Sequence, residues 1–467
     1  MKKSQLIPIF LLGSSFFLRG QQIDERPNIL LILSDDQSFP FIGCAGNSDM
    51  KTPNIDGLAY GGVLYKRAYT TAPQSVPSRA SLMTGRNVLD VHMSRFSAPL
   101  QRRYVTFPEI LRGNGYYTGI CGRSYHLDGS KAKASETIGT FEKYMLQTFQ
   151  DRVDFLKIGD DDEVLDQFND FLDHVPLAKP FFIQVGFSDP HRPWKAPDFE
   201  PDPNRIKVPD GMPDIPELRK DMAAHYGEIM RMDANLGKVL DELDKREIKN
   251  VMIIFMGDNG SAVLRGKGTL YDAGIHVPLI VKWEGKTAKN VVSDVLISGE
   301  DIAPTILDAA GSAIPKEMSG KSFIETFTGE HYEIRDFAYA VRVAHGSGLP
   351  EGSASFDLSR TVLSKEFKLI YNVLWQLPYS PVDFAGAPLW KSLKNLKESG
   401  QLAPVFVKLF FSRHRPMFEL YDLKNDPLEM NNLAGRKEYA SIEKKYKALL
   451  HEWMILYEDY CPLPIEP

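Results

Sequence analysis

Asn28-Ile29-Leu30-Leu31-Ile32-Leu33-Ser34, followed at once by Asp35-Asp36, is the stretch that decides the fold. An unbroken apolar run has no polar face, so it predicts a strand buried on both sides, as in a parallel sheet covered by helices. Similar runs recur at residues 181–187, 251–256 and 277–281. Helical patterns separate them, at residues 54–60, 107–112, 163–172 and about 217–246. Strands alternating with helices imply an α/β sandwich with a large, mostly parallel central sheet. Ligands of such sheets gather at the carboxyl ends of the strands. Polar clusters stand at those places: Asp35-Asp36, Ser188-Asp189-Pro190-His191 and Gly257-Asp258-Asn259-Gly260. From about residue 335 the texture changes to short hairpin-like segments (360–371, 418–423) and an aromatic-rich helix (about 440–457). The division expected is a larger α/β domain over 21–334 and a smaller α+β domain over 335–467.

Composition sets the outer bounds. The chain has 467 residues, 43% hydrophobic and 25% charged, which is ordinary for a globular protein with a large core. A net charge of −6 speaks against nucleic acid as a partner, and a polyanionic substrate would need a locally basic pocket. Lys2 and Lys3 precede an apolar run over 6–18, which predicts a signal peptide over 1–20 and a periplasmic or secreted protein. The run is short for a membrane span, so no stable span is expected; a buried N-terminal helix or an uncleaved anchor is the other reading. Cys44, Cys121 and Cys461 form no disulfide framework; they allow one bridge or three free thiols.

Asp35, Asp36, Asp258 and Asn259 are hard oxygen donors at the ends of two buried strands. Carboxylates brought close together repel unless something positive lies among them. An all-oxygen set suits Ca²⁺, or less well Mg²⁺, and not zinc. Each piece alone also reads as a helix cap or a turn. Together they predict a metal site.

The segment Ser75-Val76-Pro77-Ser78-Arg79-Ala80-Ser81-Leu82-Met83-Thr84-Gly85-Arg86 resembles the signature of the type I sulfatases, in which the residue at the Ser75 position is oxidised to formylglycine. Further segments are similar in family order: Thr52 to Ala59, Gly122-Arg123…His126-Leu127, Asp189 to Pro193, Gly257 to Gly260, Gly266 to Gly274 and Glu419 to Leu423. The resemblance implies an alkaline-phosphatase-like fold and hydrolysis of sulfate esters or sulfamates. It implies that Ser75, as the hydrated aldehyde, is both nucleophile and metal ligand. Arg79 would pair with the formylglycine oxygen and the metal carboxylates. Lys267 would contact sulfate, His191 would protonate the leaving group, and His126 would open the diol. Arg123 stands where the family pattern Gly-Lys-x-His has lysine, with one extra residue before His126; its planar fork suits sulfate. Arg192 is a candidate substrate contact, and His276 is either another or the end of an element.

A serine at this position implies a bacterial enzyme and a maturation enzyme that converts Ser75 before export. The segments around Asp189 and Lys267 look most like the N-sulfoglucosamine sulfohydrolase branch, which implies a sulfated mono-, oligo- or polysaccharide as partner. Two other readings stand beside this one. A phosphatase, phosphodiesterase or phosphonate hydrolase of the same fold would use Ser75 unmodified, and a non-catalytic relative would only bind sulfated glycans.

Overall fold

The computed structural model describes residues 26–93, 99–123, 126–129, 135–330, 332–345 and 352–465. The expected signal peptide over 1–20 lies outside these residues.

The opening apolar run forms β1 (Asn28–Ser34) near the middle of an eight-stranded sheet. The other strands, in chain order, are β2 (Val63–Tyr65), β3 (Ala68–Tyr69), β4 (Tyr117–Gly122), β5 (Phe155–Leu156), β6 (Phe181–Gly186), β7 (Val251–Gly257), β8 (Leu279–Trp283), β9 (Val291–Ser293) and β10 (Ile297–Ser298). The sheet order is β5-β4-β6-β1-β7-β8-β2-β9, while β3 and β10 pair separately. From β5 to β7 every pairing is parallel.

Alternation along the strands explains why they are apolar throughout. Ile29, Leu31 and Leu33 of β1 enter one core, and Leu30 and Ile32 enter the other. Met252, Ile254 and Met256 of β7 repeat the first set, and Ile253 and Phe255 the second. Each such side chain contributes roughly 1.5–3 kcal/mol by leaving water. The helix Pro216–Lys245 covers the second face through Met222, Tyr226, Ile229 and Leu236. The helices Ser75–Thr84 and Ile302–Ala309 pack on the first.

One expectation needs correcting. The run over 277–281 reads like the other parallel strands, yet β8 starts at Leu279 and runs antiparallel to β7, with Phe255 opposite Ile280. An apolar run reports burial and carries no direction. Between β7 and β8 the only helix is the single turn Asp272–Ile275, too little for a parallel crossover.

A second sheet follows: β11 (Ala338–Arg342), β12 (Ser359–Leu363), β13 (Phe367–Asn372) and β14 (Phe418–Asp422), all antiparallel. The helix Ala440–Leu456 lies on it, with Tyr339 stacked on Trp453 at 4.9 Å. The architecture is an alkaline-phosphatase-like α/β fold with a C-terminal four-stranded sheet. Cys44, Cys121 and Cys461 are all free.

Candidate active site

Four neighbouring strands, β4, β6, β1 and β7, end on one edge, and each is followed by chemistry. Asp35 and Asp36 follow β1, Arg123 follows β4, His191 comes soon after β6, and Asp258-Asn259 follow β7. The helix Ser75–Thr84 brings its first residue to the same place. Ser75 Oγ lies 3.1 Å from Asp35 Oδ1 and 3.0 Å from Asn259 Oδ1. Such a helix start favours a bound anion. Ser78 Oγ donates to the Asp258 carbonyl at 2.5 Å and ties the helix to the end of β7.

The carboxylates are interlocked. The Asp36 N–H donates to Asp258 Oδ1 at 3.0 Å, and Asn259 Nδ2 donates to Asp36 Oδ1 at 2.8 Å. Arg79 Nε donates to Asp258 Oδ2 at 2.9 Å, and its Nη2 lies 3.7 Å from Asp35 Oδ2. Arg123 Nε is 2.6 Å from Asp35 Oδ2 and donates to His126 Nε2 at 3.3 Å. Lys267 Nζ bridges Asp36 Oδ2 at 2.8 Å and Asp383 Oδ2 at 2.6 Å.

Charge in this cluster does not balance. Burial pushes Asp36 up to about 6; Asp35 and Asp383 add to the rise against the pull of Lys267. Burial and then Asp35 push Asp258 up to about 6 despite Arg79. Burial alone would raise Asp35 as well, but Arg123, His191 and Arg79 hold it well below the usual carboxylate range. Two carboxyls that remain hard to ionise beside three cationic side chains mark a site still short of positive charge. A divalent cation fits that deficit and this donor set. One ligand atom from each of Asp35, Asp36 and His191 falls within 4.8 Å of the others. His191 Nδ1 donates to the Arg192 carbonyl, which presents the Nε2 lone pair to the cluster, 3.7 Å from Asp36 Oδ2. His191 thus stands beside the oxygen donors Asp35, Asp36, Asp258 and Asn259 expected from the sequence.

The expected residues divide cleanly by position. Asp35, Asp36, Ser75, Arg79, Arg123, His126, His191, Asp258, Asn259 and Lys267 come together. His276 does not join them. Its ring is stacked between Phe39 at 4.6 Å and Tyr69 at 4.9 Å, and its Nε2 meets the Lys66 carbonyl at 3.0 Å. Arg192 is committed elsewhere as well: both terminal nitrogens reach Asp221, Nε donates to the Ala262 carbonyl, and the guanidinium lies over Trp194 at 3.6 Å.

Sequence reasoning missed Asp383 and gave His345 no firm role. Asp383 has a left-handed backbone, φ 67°, and sits 3.8 Å from both His191 Nε2 and His345 Nε2. Gln74, just ahead of the helix, reaches His345 Nδ1 at 3.3 Å. The Asp383 backbone is the kind of strain that accompanies functional positions, but no local motif announces it.

Comparison with known proteins bears on the family and the fold. The chain is 27% identical to an ulvan-active sulfatase of Formosa agariphila over 97% of its own length and 86% of the relative's. It is 28% identical to the human N-sulphoglucosamine sulphohydrolase, covering 95% of this chain and 92% of that protein. A structure solved in complex with its substrate D-glucosamine-2-N,6-O-disulfate superimposes with a TM-score of 0.68 at 20% identity, covering 95% and 100% of the two chains. The phosphonate monoester hydrolase of Agrobacterium radiobacter superimposes with a TM-score of 0.70, also at 20% identity, covering 92% and 96%. Residues 262–378 match the C-terminal part of N-sulphoglucosamine sulphohydrolase. Residues 27–312 match the Sulfatase family across the whole cluster from Asp35 to Lys267, and the chain belongs to that family.

Proposed function

We propose that this sulfatase removes sulfate, as an O-sulfate ester or an N-sulfamate, from a sulfated carbohydrate, with residue 75 oxidised to formylglycine and Ca²⁺ as the resident cation. The observation that carries the reading is Ser75 Oγ, held within 3.1 Å of Asp35 and Asn259 at a helix start, with Arg79, Arg123 and Lys267 paired to the neighbouring carboxylates. Ca²⁺, with Mg²⁺ the second choice, would be held by Asp35, Asp36, Asp258, Asn259 and residue 75, and when bound it supplies Lewis acidity and neutralises sulfate charge. A carbohydrate is favoured because the similar proteins are named for ulvan and for N-sulphoglucosamine.

An aldehyde at residue 75 adds water to become a geminal diol. One hydroxyl oxygen attacks sulfur and gives up its proton while the bond from sulfur to the substrate's oxygen or nitrogen breaks and the leaving atom gains a proton; the other hydroxyl then loses its proton, the aldehyde re-forms and the C–O bond to sulfate breaks. His126, beside Arg123, would take that proton on Nε2 once the substrate draws the Arg123 guanidinium away from it. Asp36 and Asp383 outweigh burial and raise Lys267 above its ordinary range, so it stays charged and can donate to the leaving atom. Burial, then Lys267, pulls His191 down to about 4. Lys267 would therefore act as a fixed cation toward sulfate and the leaving atom, and His191, at the same cluster, would protonate the leaving group. This reading also places the mature protein outside the cytoplasm, on the charged-then-apolar run over 2–18.

The deciding experiment pairs mass with turnover. In protein made alongside a formylglycine-generating enzyme, the peptide containing residue 75 should lack two hydrogens, and the protein should release sulfate from heparin-derived or algal oligosaccharides. An intact serine together with hydrolysis of phosphate or phosphonate esters would replace this reading with the phosphoryl one, which the likeness to a phosphonate hydrolase keeps in view.

A further inference from the structure

The loop that carries Lys267 continues as Gly268-Thr269-Leu270-Tyr271, and these four residues wall a separate cavity of about 370 Å³. None of Asp35, Asp36, Ser75, Asp258 or Lys267 lines it. Its floor belongs to the C-terminal sheet, and its outer edge is marked by the exposed Lys408 and His414 beside half-buried Ser412. The volume is that of a small-molecule site.

Two features of the floor point to a ligand. Arg342, at the end of β11, is fully buried. Its Nη2 donates to the carbonyls of Ser353 at 3.1 Å and Ala354 at 2.9 Å, while Nε and Nη1 have no hydrogen-bond partner among the described residues. The nearby carboxylate, Asp357, is taken on both oxygens by Arg415 at 2.7 and 2.8 Å. Burial consequently pulls Arg342 down to about 10, with Asp357 and Asp383 favouring its charge and Arg415 opposing it. A buried guanidinium with idle donors is costly unless an anion completes it. Gly268, at φ 82°, lets the loop lie against this group: a Cβ there would come within 3.4 Å of Arg342 Cζ.

Glu419 is the second feature. It is buried, has no ion pair among the described residues, and is held by neutral donors: Asn372 Nδ2 at 2.6 Å, Tyr271 at 2.8 Å and Tyr421 at 2.5 Å. The cavity thus offers a cation to an anion, a carboxylate and an amide to hydroxyl groups, and tyrosine rings to a ring face.

We propose that this cavity is a second saccharide site, binding an acidic pyranose unit with its carboxylate or sulfate on Arg342 and its hydroxyls on Glu419 and Asn372. It extends the carbohydrate reading above to a unit other than the one being desulfated.

The test is calorimetric titration of the full chain carrying Ser75→Ala, so that turnover plays no part. The probes are glucuronate, glucose 6-sulfate, glucose and inorganic sulfate. Both acidic sugars should bind, glucose should bind about tenfold more weakly or not at all, and Arg342→Met should weaken both acidic sugars by about tenfold or more. Ser412→Trp obstructs the outer edge without touching the floor and should give the same loss, which keeps the test decisive if Arg342→Met does not fold. Unchanged affinity for the acidic sugars in the folded variants overturns the proposal. So does inorganic sulfate that binds as tightly as the sugars and loses that binding in Arg342→Met, because the cavity would then read a bare anion. Failure here leaves the sulfatase assignment standing, and an unmodified Ser75 leaves this site standing.

Discussion

Replacing Arg79 with methionine keeps most of the side-chain volume and removes a cation that is 2% exposed. Asp258 Oδ2 then loses its 2.9 Å donor, and Asp35 loses a charge 3.7 Å away. Breaking a buried pair by removing one partner costs about 3–5 kcal/mol. The unfolding entropy of a 467-residue chain, at roughly 2.1 cal/mol/K per residue, is about 1 kcal/mol/K, so Tm should fall by about 3–5 °C in chelator near pH 8. The loss depends on pH with a definite sign. Asp258 ordinarily titrates at 3.8 and is raised to about 6 in the fold, so its ionised form weakens the fold progressively as pH rises through that window. Without Arg79 it rises further. Near pH 5 the group is largely protonated in both proteins, and the difference should shrink to roughly half, sustained by Asp35, which stays ionised. Differential scanning calorimetry at the two pH values measures this directly. A Tm within about 1 °C of wild type near pH 8, or a larger loss near pH 5, refutes the assignment of Arg79 as counter-charge to the cluster.

Lys267→Met should lower kcat for sulfate release by about 10²–10³-fold, the usual loss for a charged donor to the transition state, while circular dichroism stays native. Gly268→Ala places a methyl 2.4 Å from Val382 Cγ2 at φ 82°, and should cost about 1–3 kcal/mol in a denaturant titration. His276→Gln removes a ring stacked between Phe39 and Tyr69, so Tm should fall while kcat/KM for sulfate release stays within about twofold. A larger loss of kcat/KM would return His276 to the substrate pocket.

The parts legible in the sequence share one physical property: their signal is local. The strands β1, β6 and β7 are buried on both faces, so burial alone wrote their apolar runs, and the residues just beyond them stand at the ligand edge by topology. β4 was not legible because Gly119 and Gly122 break its apolar run; Gly119 is there to admit the Phe171 ring, which a Cβ would meet at 2.5 Å. Asp383 reaches Lys267 from 116 positions away, out of a loop with no periodicity, and nothing in its neighbours encodes that meeting. His276 carried two readings, a substrate contact or the end of an element, and it caps the turn Asp272–Ile275. It lies close to Lys267 along the chain, yet the turn Asp272–Ile275 delivers it between two aromatic rings.

Ser75 is 1% exposed, and all ten residues of the helix it begins are buried. On the reading proposed above, an enzyme that oxidises this side chain would have to reach it before the fold buries it. Conversion would then have to win a race against collapse of the chain, and a molecule that closed with its hydroxymethyl group intact would stay without the proposed nucleophile until it unfolded. The yield of competent protein would then follow from the relative speeds of two events early in the life of the polypeptide, not from any later equilibrium.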